Sequence, residues 1–304
     1  MSLATWTDLS TVGAPLHPTH LMGALTSAPM APTEPLLLYG TAWKEEDTER
    51  LVTLALEAGF RGIDTANQLK HYDEAQVGLA LAAALKRGLK RGELFVQTKF
   101  TYLDGQDDRL PYDRDASIGT QVQQSFASSL QHLGLSTIDS YLLHGPSSRS
   151  GWSANDAEAW TAMEAIHASG RAHALGVSNV TLDQLEALCA RAKVAPRYVQ
   201  NRCYARTGWD AEVRAFCRAH QIRYQGFSLL TANPEVHDSA QVRAIAKRTS
   251  RTPAQVILRF AHQVGMLPLT GTSDPVHMGQ DLAIADFALT PEELSQLDRA
   301  WTRR

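Results

Sequence analysis

One feature of this sequence limits its fold more than any other. Short apolar runs of four to seven residues alternate with longer amphipathic stretches, and the alternation occurs eight times from Leu36 onward. The apolar runs are too short for helices and lean toward β-branched and apolar residues, which is typical of buried strands. These predicted strands are residues 36–39, 62–66, 94–99, 139–144, 174–179, 198–203, 222–228 and 266–271.

The stretches between the apolar runs carry helical patterns. Residues 47–58 and 73–87 repeat apolar side chains at helical spacing, and Gly59 follows the first of them. Residues 181–192 open on a threonine with a glutamine three positions later, which is a capping box. Residues 290–293 read Thr-Pro-Glu-Glu, a cap followed by a proline and acidic residues at the start of a last helix.

Strands that alternate with helices predict a parallel sheet with right-handed crossovers. Eight such units in about 250 residues fit a single closed (β/α)8 barrel of the TIM type. The competing fold is an open doubly wound sheet, which would place a glycine-rich phosphate turn after its first strand. Here that strand is followed by Gly40-Thr41-Ala42-Trp43, which lacks the turn. We therefore expect a barrel domain over residues 35–304, preceded by an irregular N-terminal arm over residues 1–34.

Composition excludes several classes of protein. A net charge of −3 over 304 residues gives no basic surface for nucleic acid, so we expect no nucleic-acid partner. No apolar run is long enough for a membrane span, and the N-terminus lacks a signal-peptide pattern. The three cysteines suggest neither a disulfide framework nor a zinc site. We expect a cytoplasmic protein without a structural metal.

Polar side chains collect at the carboxyl ends of six predicted strands, where barrel enzymes place their active sites. Alone, an Asp, Lys or His in such a position is usually a cap, a solvated charge or a hydrogen-bonded structural residue. Six strand ends with the same feature indicate a site. The residues concerned are Asp64, Lys99, His144, Ser178, Asn179, Gln200 and Ser228.

Asp64 and Lys99, if both point into one barrel mouth, can pair and so offset the cost of removing each charge from water. Tyr72 lies in the loop after the second predicted strand. Because a nearby cation favours a phenolate, we expect the pair to lower the pKa of Tyr72 and make it a usable proton donor. His71 is the alternative donor, since a shift of one residue in this loop would exchange the two.

Several motifs resemble, in order and spacing, those of the aldo-keto reductase family. The resemblance runs from about Leu36 to about Leu297. It rests on Gly-Phe-Arg-Gly-Ile-Asp-Thr-Ala at 59–66, Tyr-Asp-Glu at 72–74, Val-Gly at 77–78, Thr-Lys at 98–99, Leu-Leu-His-Gly-Pro at 142–146, Gly-Val-Ser-Asn at 176–179, Asp-Phe at 286–287 and Leu-Thr-Pro-Glu at 289–292.

The resemblance implies a (β/α)8 barrel that reduces an aldehyde or ketone to an alcohol, reversibly, with NADP(H). Its catalytic tetrad would be Asp64, Tyr72, Lys99 and His144. Ser178, Asn179 and Gln200 would hold the carboxamide of the nicotinamide, and Phe227 would stack on its ring. The full set of implied cofactor residues is Gly40, Thr41, Asp64, Ser178, Asn179, Gln200, Phe227, Ser228, Leu230, Gly271, Thr272, Ser273, His277 and Asp281.

Four features depart from the family pattern. The loop 67–71 is longer than the common form, and Gly145 stands where a tryptophan is frequent. The chain stops soon after Trp301, without a long C-terminal loop over the substrate pocket. Residues 269–274 lack the Arg or Lys that often binds the 2′-phosphate of NADP(H). We therefore expect a small-molecule carbonyl substrate in an open pocket, and a weakened preference for NADP(H) that leaves NAD(H) possible.

Two other functions compete with this interpretation. One is a regulatory subunit on the same barrel that binds cofactor with little turnover, although the intact Asp64, Lys99 and His144 argue against it. The other is a barrel hydrolase or isomerase that uses Asp64 and His144. Such enzymes often need a metal or a phosphate grip, and the sequence offers no convincing ligand cluster for either.

Overall fold

A computed structural model describes residues 34–299. The predicted N-terminal arm lies outside these residues, apart from its last position. Within them, eight parallel strands close into a barrel in which each strand pairs with its sequence neighbours and the first pairs with the last. The strands are β1 Leu38–Gly40, β2 Gly62–Asp64, β3 Phe95–Phe100, β4 Ile138–Leu143, β5 Ala172–Ser178, β6 Tyr198–Arg202, β7 Arg223–Phe227 and β8 Leu267–Thr270. The predicted (β/α)8 barrel is confirmed.

Helices connect the strands on the outside. In the described part of the chain they are α1 Thr48–Ala58, α2 Glu74–Lys86, α3 Ile118–Leu133, α4 Ala154–Ala168, α5 Leu182–Cys189, α6 Ala211–Ala219, α7 Pro234–His237, α8 Ala240–Thr249, α9 Pro253–Gln263, α10 Pro275–Leu282 and α11 Pro291–Arg299. Short 3-10 turns occupy Glu45–Asp47, Arg91–Glu93, Leu103–Gly105, Ala205–Thr207 and Ala283–Asp286. No helix among residues 34–299 is long and apolar enough to cross a membrane.

Local sequence signals set several helix ends as predicted. Gly59 ends α1 in the left-handed conformation, with φ of 117°, which a residue with a Cβ rarely adopts. Thr181 and Gln184 form the reciprocal capping box that opens α5. The carboxylate of Asp73 accepts a hydrogen bond from the backbone N–H of Gln76 and so caps α2. This cap fixes the start of α2 at Glu74, two residues after Tyr72.

The barrel interior is built in layers because successive side chains on a strand point to opposite faces. Along β3, Phe95, Gln97 and Lys99 face inward, whereas Val96 packs among the surrounding helices. The lower layer is apolar and consists of Leu38, Phe95, Leu142, Tyr198 and Leu267. The layer above it, toward the carboxyl ends of the strands, is polar. It consists of Asp64, Gln97, Lys99, Gln200 and Gln225, and we call it the polar layer.

Candidate active site

A cavity of about 690 Å³ opens at the carboxyl ends of the strands, where a barrel enzyme has its active site. Every site residue predicted from the sequence lines it except Thr41, Lys99 and Ser273. Thr41 is wholly buried, and its hydroxyl donates to the backbone oxygen of Asp64 at 3.1 Å. Lys99 is also wholly buried and contacts Asp64 from behind the cavity wall.

The predicted pair of Asp64 and Lys99 is formed. The Lys99 ammonium donates to both Asp64 carboxylate oxygens at 2.8 Å and to the Thr65 carbonyl oxygen at 2.8 Å. Lys99 donates no hydrogen bond to the Tyr72 hydroxyl within residues 34–299, and its Nζ lies 5.4 Å from the centre of the Tyr72 ring.

Three glutamine amides complete the polar layer around Asp64. The Gln97 and Gln200 amide nitrogens donate to Asp64 Oδ1 at 2.6 and 3.0 Å. Both also donate to Gln225 Oε1, and Gln225 Nε2 donates back to Gln97 Oε1 at 2.9 Å. All four residues are at most 3% exposed. The carboxylate is thus held by fixed donors from β3 and β6 as well as by Lys99.

Tyr72 is half-buried at the cavity wall, with its ring 5.9 Å from the His144 ring and 5.4 Å from Lys99 Nζ. Burial, and secondly the charge of Asp64, raise the pKa of Tyr72 above its ordinary value. The expectation that the Asp64–Lys99 pair would lower this pKa is therefore wrong. The reason is that Asp64 offsets the cation, while burial disfavours the phenolate. Tyr72 stays protonated near neutral pH.

His71 also lines the cavity, but its ring is engaged elsewhere. It packs against the Trp43 indole with ring centres 3.9 Å apart and the planes tilted by 39°, and its Nδ1 lies 3.0 Å from Gln68 Oε1. Trp43 is 70% exposed at the cavity rim and was not singled out from the sequence. Of the two neighbouring residues, only Tyr72 therefore lies against His144 and Lys99.

His144 follows β4, and its backbone N–H donates to the Phe100 carbonyl oxygen at 2.8 Å. Burial, together with the charge of Lys99, lowers the pKa of His144 to about 3. Its imidazole is therefore neutral at every pH at which the protein is expected to work. Its Nδ1 lies 2.7 Å from the Thr101 hydroxyl, another contact that was not predicted.

Acceptor oxygens suited to an amide group stand beside Tyr72 and His144. Ser178 Oγ donates to the Gln200 carbonyl oxygen, and Asn179 Nδ2 donates to the His144 carbonyl oxygen. The side-chain oxygens of Asn179 and Gln200 make no hydrogen bond within residues 34–299, and both residues line the cavity. A ligand carboxamide offers two N–H donors, which these two side-chain oxygens could accept. Phe227 lies on the same cavity and offers a ring for stacking.

The other end of the cavity lies at the start of α10. Gly271, Thr272, His277 and Asp281 all line it there. The Asp281 carboxylate accepts from the Thr270 hydroxyl at 2.7 Å, and burial raises its pKa to about 6. Residues 269–274 contain no Arg or Lys, but the fold places a lysine next to them. Lys44, from the loop after β1, donates to the Gly271 carbonyl oxygen at 2.7 Å.

A second cation, Arg202, lines the cavity with its guanidinium 5.5 Å from the Phe227 ring centre. Neither Arg202 nor Lys44 was predicted, because each is distant in sequence from the residues it meets. No group of three or more His, Cys, Asp or Glu residues within 34–299 is arranged to hold a metal ion.

A second cavity of about 580 Å³ adjoins the first and shares Gln68, His144 and Asn179 with it. Its walls come from the loops after β3 and β4 and the start of α3. Gly145 lines this second cavity, and a Cβ added to it would be 3.5 Å from Asn179 Cβ, an ordinary contact. The second cavity contains no Lys or Arg, and its single carboxylate is that of Asp104.

Comparison with known proteins agrees with this geometry. A statistical description of the Aldo/keto reductase family matches residues 37–302. The chain belongs to the aldo-keto reductase family. It is 33% identical over 255 residues to an aldo-keto reductase of Mycolicibacterium vanbaalenii, covering 84% of this chain and 83% of that one. It is 30% identical over 293 residues to the 7-acetyl-epi-neemfruitin B aldo-keto reductase of Melia azedarach, covering 88% and 85% of the two chains.

Solved structures of aldo-keto reductases have the same fold. The crystal structure of MGS-M4, an aldo-keto reductase from a deep-sea metagenome, superposes with a TM-score of 0.75 at 25% identity over 88% of this chain and 91% of that one. The aldose reductase of Schistosoma japonicum superposes with a TM-score of 0.76 at 22% identity over 90% and 94%. This aldo-keto reductase is thus an oxidoreductase on a (β/α)8 barrel, of a family that acts on carbonyl compounds.

Proposed function

We propose that this aldo-keto reductase reversibly reduces an aldehyde or ketone to an alcohol with NADP(H), using Tyr72 as the proton donor. One observation carries the proposal. The hydroxyl-bearing Tyr72, the neutral His144 and the buried Asp64–Lys99 pair meet at one wall of the large cavity. The nicotinamide, when bound, supplies the hydride that adds to the carbonyl carbon.

The protein's part in this reaction is to bind and polarise the carbonyl oxygen and to deliver a proton to it. Tyr72 holds that proton because its raised pKa keeps the phenol protonated. An alkoxide is a stronger base than a phenolate, so the proton moves from Tyr72 to the oxygen as negative charge develops there. Lys99 then stabilises the phenolate left behind, since its ammonium lies 5.4 Å from the Tyr72 ring.

Tyr72→Phe tests the assignment because it removes one oxygen and little volume. We expect single-turnover reduction of a reactive aldehyde such as 4-nitrobenzaldehyde by bound NADPH to slow by about 10²- to 10⁴-fold. His71→Ala is the matched control, and it should retain most of the rate. Near-normal turnover by Tyr72→Phe together with loss in His71→Ala would transfer the role to His71. A wild-type protein that binds NADPH but reduces none of a panel of aldehydes would instead favour the regulatory alternative.

The choice of cofactor rests on charge. Arg202 lines the cavity, and the buried Lys44 contacts Gly271 in its wall. The hydroxyl of Thr272 and the exposed imidazole of His277 lie at the start of α10. Cations of this kind bind phosphate groups by charge-assisted hydrogen bonds. The carboxylate of Asp281 opposes them above about pH 6. We therefore propose NADP(H) with a modest preference over NAD(H), improving as the pH falls toward 6.

We also propose a cytoplasmic location. The structure pairs none of the three cysteines, and Cys203 and Cys217 are buried, which raises the pKa of each thiol to about 12. Such thiols are inert and suit a reducing compartment. Fractionation of cells that express the protein tests this location.

A further inference from the structure

The hydroxyl of Thr101 lies directly behind the imidazole of His144. Thr101 follows the last residue of β3 and is 5% exposed, and its Oγ1 is 2.7 Å from His144 Nδ1. Its backbone is fixed as well, because its carbonyl oxygen accepts from the Tyr112 hydroxyl at 2.8 Å and from Gln106 Nε2 at 3.3 Å. The contact with His144 is therefore built into the wall of the site.

The other hydrogen bonds of the two side chains decide whether Thr101 or His144 is the donor. The His144 ring is neutral, so one of its two nitrogens carries a hydrogen and the other a lone pair. Thr101 Oγ1 makes no other hydrogen bond within residues 34–299. If Nδ1 carried the hydrogen, the hydroxyl of Thr101, which is 5% exposed, would have no protein acceptor for its own hydrogen within residues 34–299, which is costly. If the hydroxyl donates to Nδ1, its hydrogen is bonded within the protein, and the other hydrogen of the pair is on Nε2.

We propose that Thr101 is a positioning residue that selects the Nε2–H tautomer of His144. The ring is anchored on its inner side, and Nε2 with its hydrogen is the nitrogen left for a ligand. A neutral imidazole in this state is a hydrogen-bond donor, and it donates to the carbonyl oxygen of a substrate without exchanging its own proton. This last consequence rests on the proposed function, whereas the tautomer itself does not.

The lowered pKa of His144 agrees with this arrangement but does not establish it. The charged and titratable groups that act on the ring are Lys99, which disfavours the imidazolium, and His71, which does the same more weakly. Neither of them distinguishes Nδ1 from Nε2. The Thr101 hydroxyl is the contact that does so.

The test is a long-range ¹H–¹⁵N correlation spectrum of protein with ¹⁵N-labelled imidazoles at pH 7, which shows which ring nitrogen carries the hydrogen. The His144 signals are those that vanish in His144→Gln. We expect the Nε2–H pattern in the wild type and in Thr101→Ser, which keeps the hydroxyl. In Thr101→Val, which keeps the shape, the tautomer ratio should shift toward Nδ1–H by about 2- to 12-fold, the value of one hydrogen bond.

Kinetics provide the second readout. In Thr101→Val the kcat for a small aldehyde should fall by a similar factor with an unchanged KM for NADPH, and Thr101→Ser should restore it. An Nδ1–H pattern in the wild type, or an identical tautomer ratio in wild type and Thr101→Val, would overturn the inference. The wild-type spectrum decides the tautomer even if Thr101→Val fails to fold. If the tautomer is as stated but no carbonyl is reduced, the proposed function fails and the inference stands.

Discussion

Replacing Lys99 by methionine separates the structural role of the buried ion pair from its chemical role. Lys99 is wholly buried, Asp64 is 3% exposed, and the ammonium makes three hydrogen bonds of 2.8 Å. Methionine has a similar length and no charge. The variant leaves the Asp64 carboxylate buried with two amide donors and no cation.

Removal of one partner from a buried ion pair costs about 3–5 kcal/mol, because the remaining charge is uncompensated. Unfolding entropy of about 2.1 cal/mol/K per residue, over 304 residues, converts this to a fall in Tm of roughly 5–8 °C. Lys99→Met should therefore fold but be clearly less stable. Its deficit should shrink as the pH falls, because an unpaired buried carboxyl has a raised pKa in the folded state and takes up a proton there first.

The matched control is the double variant Asp64→Asn/Lys99→Met, which removes both charges. It should be more stable than Lys99→Met alone, because an amide at position 64 can still accept from Gln97 and Gln200. Urea unfolding at pH 7 and pH 5.5 measures the stability, and single-turnover reduction at 15 °C measures the chemistry on folded protein. Wild-type stability in Lys99→Met, or a double variant no more stable than the single one, would refute the electrostatic reasoning.

Four further changes test other parts of the site. Lys44→Met should weaken NADPH binding by about 10- to 100-fold. A parallel NADH titration shows whether the lost contact is to the 2′-phosphate or to a phosphate that both cofactors share, and unchanged affinity for both cofactors would exclude Lys44 as a phosphate-binding residue. Asp281→Asn should flatten the pH dependence of NADPH affinity, because the wild type loses a negative charge below about pH 6 and binds more tightly there; equal slopes between pH 8 and 5.5 in both proteins would contradict this. Asp104→Lys reverses the charge of the single carboxylate that lines the second cavity, and it should raise kcat/KM for a carboxylate-bearing benzaldehyde relative to benzaldehyde by roughly 5-fold. Asp108→Lys is an equal charge change outside this cavity and should leave the ratio unchanged. Gln225→Leu should lower the free energy of unfolding by about 2–4 kcal/mol, because three buried hydrogen bonds are lost, which leaves one amide oxygen without a donor and two amide N–H groups without an acceptor; denaturant unfolding of a variant as stable as the wild type would show that the polar layer does not need this amide.

The fold was predictable because its signals are local. Strand alternation, the glycine that ends α1 and the capping box of α5 all lie within a few residues of the elements that they define. The pairing of Asp64 with Lys99 was also predictable, since both occupy inward positions at the ends of adjacent strands. Strand ends differ from the prediction by one or two residues, where hydrogen bonding rather than hydrophobicity sets the limit.

The rest of the site depends on barrel register, which local patterns do not encode. Gln97 and Gln225 are 128 residues apart and meet only because the barrel is closed. Lys44 reaches Gly271 across 227 residues, since β1 pairs with β8. The predicted direction of the Tyr72 pKa shift was wrong for a related reason. The sequence indicates that a cation is near, but not how far burial disfavours the phenolate or how close Asp64 lies.

The polar layer also governs how protons can travel. Its carboxylate and amides are bonded to one another, and the apolar layer of Leu38, Phe95, Leu142, Tyr198 and Leu267 lies beneath it. The barrel axis is therefore closed to water below the site. In the proposed reaction, a proton that returns to Tyr72 therefore comes from the cavity side of the polar layer and not along the barrel axis. The large cavity that Tyr72 and His144 line would then have to admit this proton as well as the cofactor and the substrate.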